Sequence, residues 1–308
     1  MNLNASIQQR VFYEDLPSAS GLELIDGRFF IVGDDSPYLY ELDEQFQIVQ
    51  KHPLFDTSDF NNGRIPKALK PDLESIAHLT YGRDDMLLLL GSGASEARNK
   101  GYLVNLSEKN KVQEIDFSRF YVFLKRILKI ETEGLLNIEG LAMDDNYTYL
   151  LQRPLATGIN VIFRFDTGEF KDFILRQGDI PAAAVYHFKL AGIGEREAGF
   201  SGAYVLGNKL FLTASVEDTS NAIDDGEVLG SFLGVVDLRA LAYATDPANP
   251  LAVPSVQLKN DDGSVYKGKA ESLVIKEVTP DSKYKAIVVS DDDQGHSELL
   301  TVELNVEE

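Results

Sequence analysis

Five dipeptides spaced along the chain carry the residues best suited to chemistry: Ser20-Gly21, Glu74-Ser75, Glu139-Gly140, Ser201-Gly202 and Glu271-Ser272. Each opens an alternating, strand-like run, so five oxygen-bearing side chains stand at equivalent points of a repeat. Brought to one axis, three carboxylates and two hydroxyls form a donor set for a hard divalent cation. Ca²⁺ tolerates such an irregular oxygen cage better than Mg²⁺. Burying three glutamates together without compensation costs several kcal/mol each, so something must offset their charge. Protonation, pairing with Arg or Lys, and a wide water-filled channel are the alternatives to a cation. The expected metal set is therefore Ser20, Glu74, Glu139, Ser201 and Glu271, with Ca²⁺ in the central channel.

A second polar set follows each opening residue by 14 to 21 positions: Asp34 and Asp35, Ser92, Arg153, Glu217, and Asp291 and Asp292. Strand two of each repeat runs antiparallel to strand one, so its end returns to the face where strand one began. These residues are expected on the rim of the same mouth. Asp34 and Asp35 to orient water and Arg153 to stabilise developing charge are the candidate catalytic groups. Ser92, Glu217, Asp291 and Asp292 are candidates for substrate binding. The plainer reading of Asp34-Asp35 is a turn ahead of Ser36-Pro37, where Asp is favoured for local hydrogen bonding.

The element that must position these residues is a repeat of about one blade. The openings at 20, 74, 139, 201 and 271 lie 54, 65, 62 and 70 residues apart, and 57 on going round through the termini. That length holds four strands of ordinary size and their turns, and cannot hold eight. The first repeat runs Ser20 to Ile25, turns at Asp26-Gly27, a strong hairpin signal, and continues through the apolar run Phe29 to Val32. We expect an all-β, five-bladed β-propeller, one domain over residues 1–308, whose last blade takes its outer strand from Arg10 to Tyr13. Third and fourth strands are expected at Tyr38 to Leu42 and Phe46 to Gln50, and at Val161 to Phe165 and Phe170 to Leu175. Asp116 to Lys129 breaks the pattern with apolar residues at helical spacing, an inserted helix between blades two and three.

At these positions the chain resembles two propeller families. The order Ser, Glu, Glu, Ser, Glu resembles the calcium-activated nucleotidases (apyrases), a likeness that implies an axial Ca²⁺ held from those residues. The stretch Gly27 to Asp35 followed by Tyr38 to Leu42 is similar to the apyrase segment bearing a paired Asp near its active site, and Arg153 stands where that family also has arginine. The Ser-Gly-Leu and Glu-Gly-Leu-Ala openings resemble the phytase-like, or esterase-like, propellers. The resemblance implies metal-assisted attack of water on a phosphate ester or anhydride; a propeller binding a small ligand or a protein partner without catalysis is the alternative. Asp291 to Asp293 departs from the family pattern, which is more basic there.

Other chemistries are poorly served. The chain has no cysteine, which removes thiolate metal sites and cysteine nucleophiles. Gly199-Phe200-Ser201-Gly202-Ala203 lacks the last glycine of a nucleophile elbow. His52, His78, His187 and His296 fall in no metal spacing. The formal net charge of −20 repels nucleic acid and anionic membrane, although an acid-rich surface also serves solubility. No apolar run is long enough to span a bilayer, and Met1 to Arg10 shows no secretory h-region, so a cytoplasmic location is expected unless an exported precursor has been trimmed.

Overall fold

The computed structural model describes residues 1–56, 65–66, 69–130, 135–154, 159–218, 226–292 and 294–307. Five antiparallel sheets stand around one axis, and their innermost strands neighbour one another in the cyclic order 1-2-3-4-5-1. This is the expected five-bladed β-propeller. Blade 1 runs Ala19–Ile25, Arg28–Gly33, Tyr38–Leu42 and Ile48–Pro53; blade 2 runs Leu73–Tyr81, Asp84–Gly91, Lys100–Asn105 and Lys111–Asp116. Blade 3 runs Ile138–Met143, Tyr147–Gln152, Asn160–Asp166 and Ala184–Lys189, with Leu251–Ala252 added parallel at its edge. Blade 4 runs Gly199–Leu206, Lys209–Asp218, Glu227–Asp237 and Ser255–Gln257. Blade 5 runs Lys269–Thr279, Lys283–Asp291 and Ser297–Glu307, and Asn2–Tyr13 pairs with the last of these as its outer strand. The two chain ends thus close the ring, and no blade edge is left open at the seam.

The apolar second strands explain why the ring holds. Phe29 and Ile31 point into the core shared with blade 5, while the alternate residues Phe30 and Val32 point into the core shared with blade 2. Both faces of the sheet are covered, so the strand reads as a continuous apolar run instead of alternating. Five such cores fill the five gaps between neighbouring blades. At the blade 1 hairpin, Asp26 (φ +48°) and Gly27 (φ +79°) both take left-handed backbone, as the tight turn with the favoured twist requires.

Among the described residues, two α-helices interrupt the pattern. The first, α1 (Ser118–Leu128), lies between blades 2 and 3 as expected and buries Phe120, Tyr121 and Leu124. The second, α2 (Thr167–Arg176), corrects the expected strand at Phe170 to Leu175. Asp166 caps its start by accepting from the Glu169 amide, and Phe170 and Ile174, one turn apart, are buried on one side. The fourth strand of blade 3 is Ala184–Lys189 instead.

One local feature recurs in all five blades. Each innermost strand carries a β-bulge, and the extra residue is Ser20, Glu74, Glu139, Ser201 or Glu271: the register skips it between Ala19 and Gly21, Leu73 and Ser75, Ile138 and Gly140, Phe200 and Gly202, and Ala270 and Ser272. A bulge bends the strand and re-aims one side chain out of the ladder. The residue after it must be small because neighbouring blades touch there. A Cβ on Gly202 would lie 2.4 Å from the Glu271 carbonyl oxygen and 2.7 Å from the Ser272 Cα.

Candidate functional site

The bulges divide into two kinds. At Ser20 and Ser201 the hydroxyl donates to the carbonyl that precedes the next blade's bulge, Leu73 for Ser20 and Ala270 for Ser201. These two serines staple blade 1 to blade 2 and blade 4 to blade 5. The glutamates Glu74, Glu139 and Glu271 instead turn carboxylates toward one another, close enough that each of Glu139 and Glu271 raises the pKa of Glu74.

The rim residues are positioned by a second repeated bond. The Asp34 amide donates to the Ser18 carbonyl at 3.1 Å, the Ser92 amide to Asp72 at 3.0 Å, and the Arg153 amide to Asn137 at 3.0 Å. In each case the acceptor lies two residues ahead of the bulge. Ser215 opposite Gly199 and Asp291 opposite Lys269 complete the series in the strand register. Asp34, Ser92, Arg153 and Asp291 therefore lie at the same end of the ring of inner strands, its mouth.

On one side of that mouth, the Lys70 ammonium sits among three carboxylates: Asp34 Oδ2 at 2.6 Å, Asp35 Oδ1 at 3.2 Å and Asp72 Oδ1 at 3.3 Å. Arg98 Nη1 reaches Asp72 Oδ2 at 2.6 Å, and the buried Ser92 hydroxyl donates to the same oxygen. Asp34, Asp72 and Glu74 each offer one oxygen within 4.8 Å of the others. No side-chain hydrogen bond or ion pair joins Glu74 to a described residue, and the buried Asp34 Oδ1 has no hydrogen-bond partner.

Across the mouth, Arg153 Nη2 meets Glu217 Oε1 at 2.8 Å and Arg153 Nη1 donates to Ser215 Oγ at 3.2 Å. Gly199 makes room for this, since a Cβ there would lie 2.6 Å from the Arg153 Cγ. Lys269 Nζ bridges Glu217 Oε1 at 3.2 Å and Glu271 Oε1 at 3.0 Å, leaving the buried Glu271 Oε2 without a partner. The Asn137 side chain donates from Nδ2 to Glu139 Oε1. Asp292 is turned to its own loop, accepting from the Gln294 and His296 amides and pairing with His296 Nδ1 at 2.9 Å. Asp293 lies outside the described residues.

Carboxylates outnumber cations here, and protonation follows from that. Burial, reinforced by Asp72, Glu139, Asp34 and Glu271, holds the Glu74 carboxyl well above the ordinary range. Glu271 is likewise held well above it, burial outweighing the Lys269 ammonium. Burial raises Glu139 against the pull of Arg153 and Lys269. Asp34 is pushed up to about 6 by burial despite its contact with Lys70. Glu217 goes the other way: burial opposes it, but Lys269 and Arg153 together hold its carboxyl at about 2.

Sequence reasoning named the three glutamates and most of the rim but passed over Lys70, Asp72 and Asn137. For Asp72 and Asn137 the signal was available, since each, like Lys269, stands two residues ahead of a bulge glutamate. The fit to a cation rests on Asp34, Asp72 and Glu74, with an unsatisfied buried oxygen on the first and no partner on the last. The set is all oxygen, as a hard divalent ion prefers.

Comparison with solved structures bears on the fold. The chain is similar to an exo-1,5-α-L-arabinanase from a bovine ruminal metagenomic library, with 12% identity, TM-score 0.51, and coverage of 96% of this chain and 94% of that one. It also matches a glutaminyl cyclase from Myxococcus xanthus, with 14% identity, TM-score 0.48 and coverage of 99% and 97%. At this identity a likeness speaks to the fold alone, and it does not single out the apyrase or phytase-like families. A search of curated proteins finds no match. Among the described residues, no helix is long and apolar enough to cross a membrane. A family model matches residues 15–304, nearly the whole propeller, and on that match the chain belongs to the family of unknown function DUF6929.

Proposed function

We propose that the channel mouth binds a divalent cation, Ca²⁺, through Asp34, Asp72 and Glu74, and that the site so formed hydrolyses a phosphate ester or anhydride. The observation that carries this reading is the gathering of three carboxylates within 4.8 Å, one with no partner among the described residues. A bound Ca²⁺ would supply Lewis-acid polarisation of a phosphoryl oxygen. The residues of the chain do the rest. Arg153 and Lys269, held together on Glu217, face the phosphate across the mouth and offset charge that develops on it. Asp34, whose Oδ1 accepts from no described residue, orients the attacking water by accepting its hydrogen bond. Asp35 shares Lys70 with it.

A second reading draws on a different observation. Among the described residues, the cations of the mouth, Lys70, Arg98, Arg153 and Lys269, are already ion-paired to carboxylates of the chain. An arriving phosphate must displace Glu217 to take both Nη atoms of Arg153, whereas a neutral ligand with hydroxyl groups need not. A binding propeller without turnover accommodates that arrangement.

Phosphate release from a panel of nucleotides, phytate and simple phosphate esters, with Ca²⁺ and with chelator, separates the two. Chelator-sensitive turnover supports the hydrolase. Absence of turnover on every substrate, with Ca²⁺ still raising the melting temperature, supports the binding propeller.

A further inference from the structure

In a chain of net charge −20, α1 and its C-cap residue Lys129 carry Arg119, Lys125, Arg126 and Lys129 and no acidic residue. None of the four forms an ion pair with a described residue, while the described cations of the mouth, Lys70, Arg98, Arg153 and Lys269, are all paired. The inner side of α1 is fixed: Phe120, Tyr121 and Leu124 are buried, and the Tyr121 hydroxyl donates to the Gly91 carbonyl at 2.6 Å. Gly91 ends a second strand, so α1 lies on the same face of the disc as the channel mouth. At about 100° per residue, Arg119, Val122, Arg126 and Lys129 share an outward arc of about 80°. Val122 is 65% exposed at its centre, and the Arg126 guanidinium covers the neighbouring Phe123 ring at 5.9 Å.

Helix electrostatics account for part of this. Cations in the last turn complement the negative end of the dipole, which explains Lys125, Arg126 and Lys129. Arg119 sits in the first turn, where a cation is disfavoured, and the dipole offers no reason for an exposed valine between charges.

We propose that the outer face of α1 docks an acidic segment of a partner protein, a short stretch whose carboxylates engage Arg119, Arg126 and Lys129 around one apolar side chain that covers Val122. Charge decides the occupant. A second copy of the chain brings another −20 and is repelled. A duplex or an anionic bilayer is an extended polyanion that would approach the acidic disc as well as the helix, within a screening length of about 8 Å. The buried apolar side of α1 is committed to the core, so the helix cannot insert into lipid. A single segment touches only the basic face, which is about 16 Å long. A footprint of this size belongs to weak, transient interfaces, so affinity in the micromolar range is expected.

The test is fluorescence anisotropy with a labelled acidic probe, a peptide of about 12 residues, Glu-rich with one central Leu, matched to the helix length. The full chain should bind it, and the double variant Arg119→Glu/Arg126→Glu should bind at least about tenfold more weakly with unchanged circular dichroism, since both side chains are exposed. Val122→Ser should weaken the Leu-bearing probe and leave an all-Glu probe unaffected. Absence of binding by the native chain, or equal binding by the charge-reversed variant, would overturn the proposal. So would tighter binding of duplex DNA or phosphatidylserine vesicles than of the peptide, each dependent on Arg119 and Arg126.

Discussion

Lys70 places its ammonium 2.6 Å from Asp34 Oδ2, inside the group of carboxylates that is best arranged to hold a cation. The chain thereby supplies a tethered positive charge to a site whose geometry suits a free one. Lys70 is itself buried, and Asp34, Asp72 and Asp35 outweigh that burial to hold its pKa above the usual lysine value. Its charge is therefore constant through the physiological range, and a divalent ion must compete with it.

That competition gives the first prediction. Lys70→Gln removes the tethered charge and leaves Asp34, Asp35 and Asp72 facing one another. Breaking a buried pair of this kind costs about 3–5 kcal/mol, so the variant should melt well below the native chain in chelator. Added Ca²⁺ should restore more stability to it than to the native chain, which differential scanning calorimetry would read directly. A variant as stable as the native chain in chelator would show that the ammonium does not hold the carboxylates together.

Glu74→Gln should act in the opposite direction. It replaces a half-buried carboxylate that has no partner among the described residues by a neutral isostere, so stability in chelator should rise, by about 1–2 kcal/mol, while the response to Ca²⁺ is lost. Glu23→Gln is the control. Glu23 is also buried, but it accepts from the Leu24 and His78 amides away from the mouth. Its substitution should leave the Ca²⁺ response intact, and equal loss in both variants would contradict the assignment.

The pH dependence follows from the raised carboxyls. Asp34, Glu74, Glu139 and Glu271 all bind protons more tightly in the folded chain than in the unfolded one. Their contribution is present in full below the unfolded carboxyl pKa of about 4 and is lost as pH rises through the folded values, about 6 for Asp34. Glu217 has the opposite sign, and its contribution is lost only as pH falls from about 4 toward its folded value of about 2. In chelator, the melting temperature should therefore fall as pH is raised from about 5 to about 8, and the fall should be smaller in Glu74→Gln. Ca²⁺, which binds the ionised forms, should stabilise most at the upper end. A melting temperature that climbs across that window in chelator would count against shared protons at the mouth.

Close approach of the blades yields a structural prediction. Gly202→Ala would drive a methyl group into the Glu271 carbonyl, and backbone on both sides leaves little room to yield. A cost of about 2–4 kcal/mol is expected, measured by denaturant unfolding, against about 1 kcal/mol for Gly207→Ala at an open turn whose φ of +60° supplies the only strain.

How much of this could be read from the chain alone differs by feature. The ring of Ser20, Glu74, Glu139, Ser201 and Glu271 was legible because a bulge repeats at one place in each blade and admits only a residue that tolerates the crowded, polar axis, followed by a small one. The seam was legible because Arg10 to Tyr13 precede the first opening residue, and that run does pair with Ser297–Glu307 of the last blade. Phe170 to Leu175 was misread because aromatic and β-branched residues suit either period over six positions; the Asp166 cap was the deciding signal. Lys70 was missed for another reason. It precedes the strand, and no period relates it to Asp34, which lies 36 residues away and meets it only when two blades close side by side. The serines show a limit of a different kind, since a hydroxyl that staples two blades through a carbonyl and one that ligates an ion have the same place in the repeat.

Isothermal titration of Ca²⁺ into the chelator-treated chain, beside Glu74→Gln, tests the central claim most directly. The account predicts one saturable site per chain, tighter in Lys70→Gln and absent in Glu74→Gln. No heat of binding in the native chain, or the same isotherm in Glu74→Gln, would contradict it.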